Sequence, residues 1–166
     1  MDVKDTSPDS VGTDSYDASE KPFDYVEEGG KTALLCETDS GIRERLESAL
    51  RKMGYYVTKV SIASDALKSM RFHGYDLIAV GENSDTDVIL DHIRRLPMGV
   101  RRNIFVILLS GTIRTMDNMA AFARSVNLVI NREHMDEAEA IIGRGIADNE
   151  AFYQTFRQAL KEAGRL

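Results

Sequence analysis

Short apolar runs alternate along this chain with stretches in which apolar residues return every three or four positions. Residues 32–36, TALLC, form a continuous run of the kind found in a strand covered on both faces. Ser40 then heads a helix with Ile42, Leu46, Ala49, Leu50 and Met53 at helical spacing, and Gly54 stands where a C-terminal cap belongs. Residues 55–60 are β-prone. Ser64 caps a short helix that turns Ala66, Leu67 and Met70 inward and ends at Gly74. The run LIAV at 77–80 is a third strand, closed by Gly81, Glu82 and Asn83. Val88, Ile89, Ile93 and Leu96 mark a third helix, stopped by Pro97. IFVILL at 104–109 is the most apolar run and the expected central strand. Met116, Met119, Ala120 and Ala123 mark a fourth helix, and residues 128–130 a short fifth strand.

Five βα units with connections this short require right-handed crossovers. They predict an α/β fold of three layers, αβα, with a five-stranded parallel sheet in the flavodoxin-like order 2-1-3-4-5. In that order strands 1 and 3 flank the switch point, so a site is expected at their carboxyl ends. The C-terminus is longer than the pattern needs. Residues 136–147 read as an extra helical insertion, weakened by Gly143 and Gly145. Asp148 or Asn149 then caps a last helix expected to pack on the sheet through Ala151, Phe152, Thr155, Phe156, Ala159 and Leu160.

Charge divides the chain. Its 166 residues carry a net charge of −6, yet residues 1–30 alone hold nine acidic side chains against two lysines. That segment has no helical or strand period, and its composition predicts a disordered acidic tail, with Phe23, Tyr25 and Val26 the residues able to touch the domain. Residues 31–166 form the domain, and its near-neutral balance gives no electrostatic case for nucleic acid. A single cysteine, Cys36, excludes a disulfide framework, and its place inside the first strand predicts a buried, inert thiol. No apolar run approaches the ~20 residues that span a bilayer. The start lacks the basic and apolar pattern of a secretion signal, so no membrane association and a cytoplasmic location are expected.

The ordered set ALLCETDSGIRERLESALRKMGYYV, DLIAVGEN, FVILLSG and LVINR resembles a response-regulator receiver (CheY-like) domain over residues 31–163. The resemblance implies a bacterial two-component, phosphorelay setting. Receivers carry two adjacent carboxylates after strand 1 that hold Mg²⁺, a phosphoacceptor aspartate ending strand 3, a Ser or Thr ending strand 4, and a lysine ending strand 5. The metal and the lysine neutralise charge on the oxygens of an in-line phosphoryl transfer. Carried onto this chain, the acidic pair becomes Glu37 and Thr38, with Asp39 one place on. The phosphoacceptor position becomes Gly81, the hydroxyl stays as Ser110, and the lysine becomes Asn131, followed by Arg132 where proline is usual.

That pattern implies a degenerate pseudo-receiver, a non-enzymatic signalling module without the phosphorylation chemistry. Its pocket is Glu37, Thr38, Asp39, Gly81, Glu82, Ser110 and Asn131. Glu37, Asp39, Glu82, Asp85 and Asp87 are read as a hydrated acidic rim, with no metal or cofactor expected and weak Mg²⁺ binding at most. The expected interaction face, for a protein partner or a homodimer, is Met116, Met119, Phe122, Leu128 and Arg132. The alternatives are a pocket that binds a small anion, nucleotide or divalent metal as effector, and an atypical phosphorelay receiver with another acceptor.

Overall fold

The structure, a computed structural model, describes residues 29–165. The expected disordered tail, including Phe23, Tyr25 and Val26, lies outside the described residues apart from Gly29 and Gly30. Five strands form one parallel sheet in the order β2-β1-β3-β4-β5. They are β1 (Lys31–Cys36), β2 (Tyr55–Val60), β3 (Leu77–Gly81), β4 (Phe105–Ser110) and β5 (Leu128–Asn131). The helices are α1 (Ser40–Lys52), α2 (Ala63–Phe72), α3 (Thr86–Arg94), a single turn α4 (Met98–Arg101), α5 (Asn118–Arg124) and α6 (Ala138–Glu162). α5 is the fourth helix of the sequence pattern. The register sets Cys36 beside Val80, Gly81 beside Leu109, and Ser110 beside Asn131, so the strand ends form one rim.

Alternation along the strands builds two cores. Leu35, Ala79, Ile107, Leu109 and Ile130 face α1 and α6. Leu34, Ile78, Val80, Val106, Leu108 and Val129 face α2, α3 and α5. Both faces are covered, which is why the central strands read as unbroken apolar runs.

Several local expectations are corrected. Asp39, not Ser40, caps α1, its carboxylate accepting the Ile42 N–H. α2 begins at Ala63, before Ser64, and makes no side-chain cap. Past Pro97 the chain forms α4, where Arg101 donates to the carbonyls of Ile104 and Ser125. The two C-terminal helices are one helix, and its first half, not its second, docks on the sheet through Ala138, Ile141 and Ile142. Gly145 lies against Phe105 and Leu128: a Cβ there would stand 3.2 Å from each. The absent side chain lets α6 cross the sheet closely. Beyond it Phe152 is 78% exposed.

Candidate functional site

Glu37 is the residue around which the rim is built. It directly follows β1, is fully buried, and its Oε1 accepts the Asp39 N–H at 2.9 Å. A buried carboxylate is costly unless paired, and here the partner is Arg132. The Arg132 Nη2 lies 3.1 Å from Glu37 Oε2 and 3.4 Å from Oε1, and also donates to the Glu82 carbonyl at 3.1 Å. Arg132 Nε is buried and makes no hydrogen bond among the described residues. Two strand ends are thereby tied to the turn after β5 by one guanidinium.

The pair fits because residue 81 is glycine. A Cβ on Gly81 would stand 2.6 Å from Glu37 Cδ and closer still to Oε2. The carboxylate of Glu37 fills the volume that any side chain at 81 would need. Its extra methylene, relative to aspartate, lets it reach over the backbone of β3.

A second set of bonds closes the β3–β4 side. Ser110 is fully buried, and its hydroxyl donates to Glu82 Oε2 at 2.6 Å while accepting the amides of Thr112 and Ile113 at 3.1 and 3.0 Å. Arg124 approaches Glu82 at 3.6 Å and Asp87 at 3.8 Å. Buried Thr86 completes the loop, its hydroxyl donating to the Gly81 carbonyl and accepting the Asn83 amide. The sequence reading missed Thr86. Its signal is a Ser/Thr three residues after an Asn at a helix start.

Other expected pocket residues are elsewhere. Thr38 is exposed, and Asp39 serves α1. Asn131 does not enter the pocket. Its amide group donates to the Ile113 carbonyl and accepts the Glu133 N–H, stitching the β4–α5 loop to the turn after β5. The residues expected at the interaction face differ in exposure. Met119 and Phe122 are 78% and 82% exposed, whereas Leu128 is buried, Arg132 turns inward, and Met116 packs against the core at φ 61°. Leu128 lies in β5. Strand alternation, which the short β5 barely displays in sequence, turns it to the core.

Cys36 is buried, and that burial, with Glu37, Asp85 and Asp65 nearby, pushes its thiol up to about 11. Its burial inside β1 is as expected. The acidic rim is dispersed: among the described residues no group of three His, Cys, Asp or Glu side chains is placed to hold a metal.

No family model matches the sequence, and no curated protein does. Solved structures do match. A candidate response regulator from Chloroflexus aurantiacus is 19% identical at a TM-score of 0.58, covering 71% of this chain and 98% of that one. An orphan response regulator of H. pylori is 20% identical at 0.56, covering 74% and 98%. The Mn²⁺-bound response regulator Rcp1 is 18% identical at 0.54, covering 67% and 91%. The chain has the receiver fold.

The rim lies at the carboxyl ends of the strands, and the residues present there do not fit a divalent cation. Of the residues at the acidic-pair positions, Glu37 is paired with Arg132 and Thr38 is exposed. The cation at this rim is the Arg132 guanidinium. Sequence alone could have suggested it: a basic residue sits one place after the lysine position, and a glutamate replaces the first acid.

Proposed function

We propose that this receiver is a non-enzymatic, phosphorylation-independent signalling module of the cytoplasm that works through protein–protein contact. The observation that carries the reading is the Glu37 carboxylate, clamped by Arg132 and filling the space beside Gly81. The pocket neutralises its own charge and holds no volume for an acceptor side chain at 81. Ser110, the hydroxyl that a receiver uses toward a phosphoryl group, is occupied by Glu82. The rim is therefore fixed by internal bonds instead of being switched by a transferred group. The contact face we assign is α5, where Met119 and Phe122 stand exposed beside one another on one turn. Flexible, polarisable methionine beside an aromatic ring suits an adaptable protein surface.

The test is intact mass and amide NMR of the full chain after incubation with a small phosphodonor and Mg²⁺. The expected outcome is an unmodified mass and unmoved amides at Gly81, Glu82 and Ser110. Gly81→Asp should also remain unmodified, and should lose stability by about 3 kcal/mol or more, because the new side chain overpacks the site and displaces Glu37 from its partner. A phosphoryl adduct on the natural chain overturns the proposal. Saturable Mg²⁺ shifts confined to the rim without an adduct would favour an effector pocket in its place.

A further inference from the structure

The amino ends of the strands, opposite the rim, hold a cavity of about 180 Å³. Lys31, Tyr55 and Phe105, the first residues of β1, β2 and β4, line it on one side. α6 lines it on the other: having crossed close to β5 at Gly145, the helix turns Ile146, Glu150 and Arg157 toward it at spacings of four and seven. Tyr55 makes this more than a surface gap. The residue is only 8% exposed, yet its hydroxyl makes no hydrogen bond among the described residues. A buried phenol ordinarily finds a partner. The one side-chain atom both sealed and unpaired among the described residues is Arg132 Nε, so the Tyr55 oxygen is open to the cavity that the residue lines.

Charges of both signs surround that oxygen. Asp76 and Glu150 are acidic and act on the Tyr55 hydroxyl, whereas Lys31, Arg102 and Arg157 are basic. None of the five forms an ion pair among the described residues. Lys31 lies over the Tyr55 ring and Arg102 over that of Phe156. Asp76 accepts the Thr32 amide through Oδ2 alone, at 2.8 Å. A dicarboxylate would be repelled by Asp76 and Glu150, and a diamine by the three cations. A molecule with one charge of each sign satisfies both sets. The cavity is smaller than the ~300–1,000 Å³ of pockets that take drug-sized molecules, so its ligand is small.

We propose that this cavity binds a free α-amino acid with an aliphatic side chain. The ammonium donates to the Tyr55 hydroxyl and to the carboxylates of Asp76 and Glu150. The carboxylate accepts from Arg102 and Arg157, and the side chain rests on Phe105 and Ile146. Most of the charged partners are exposed, so binding should be weak, in the micromolar to millimolar range. This cavity and the rim are at opposite ends of the sheet, and the inference does not depend on the rim being inert.

Amide NMR of the full chain tests it, with L-leucine and its two singly charged analogues, 4-methylpentanoate and 3-methylbutylamine, as probes. Leucine should give saturable shifts at Tyr55, Asp76, Asn149 and Glu150 and none at Gly81 or Ser110. Each analogue should bind at least about tenfold more weakly, because it leaves one set of charges unmatched. Tyr55→Phe removes only the oxygen open to the cavity, so the spectrum should stay that of the folded chain while leucine binding weakens about tenfold. Arg157→Gln, at an exposed position of α6, should weaken it similarly. Equal binding of 4-methylpentanoate and leucine, or an unchanged affinity in Tyr55→Phe, would overturn the proposal. So would the lack of any saturable shift at these residues with glycine, alanine, valine or leucine up to millimolar concentration.

Discussion

Arg132 and Glu37 pair at the rim of the sheet. The guanidinium is partly open to solvent while the carboxylate is fully buried, so the pair is asymmetric. Removing the cation leaves a charge in a dry site, which typically costs about 3–5 kcal/mol. Arg132→Met should therefore destabilise the domain by that amount in urea denaturation. Replacing both partners, as Glu37→Leu with Arg132→Met, should recover most of the loss, since apolar residues of like volume often replace a buried pair at little cost. A loss below about 1 kcal/mol for Arg132→Met would show that the pair is not what holds the rim.

At the scale of elements, α6 is the instructive case. Gly143 and Gly145 suggest a break between two helices, since each costs about 1 kcal/mol in a helix interior relative to alanine. The helix is continuous, and the two glycines have different reasons. Nothing lies within 4 Å of a Cβ at Gly143, whereas one at Gly145 would press on Leu128 and Phe105. Gly143→Ala should raise stability by about 1 kcal/mol through helix propensity alone. Gly145→Ala should gain less than that, or lose, because the helix must back away from β5. Thermal midpoints of the two variants decide it, and equal gains would mean that the crossing is not close.

For the molecule as a whole, burial of Cys36 links stability to alkaline pH. Its thiol is neutral when protonated, and the fold raises its pKa from 9.0 to about 11. Between those values the native chain keeps a proton that the unfolded chain releases. Stability is thus unaffected below about pH 9 and falls as pH rises toward 11, by at most about 1.4 kcal/mol per unit. Burial raises the Tyr55 hydroxyl in the same direction, followed by the influence of Asp76 and Glu150. Urea midpoints measured across pH 8 to 11 should fall less steeply for Cys36→Ala than for the natural chain. Parallel slopes would mean that the thiol does not titrate with unfolding.

The order of strands and helices was legible because it rests on local periodicity and on the shortness of the connections, both properties of neighbouring residues. Unbroken runs such as IFVILL declared strands buried on both faces, and five strands in βα alternation leave few topologies. That residue 81 is a glycine at the end of a strand was legible in the same way. What fills the space beside it was not. Glu37 and Arg132 are 95 residues apart in sequence, and only the parallel register, which brings the ends of β1, β3 and β5 to one rim, sets them at bonding distance. The same holds for Leu128 and the two halves of α6. An apolar stripe looks alike whether it faces a sheet or open water, and the choice is made by where the sheet ends.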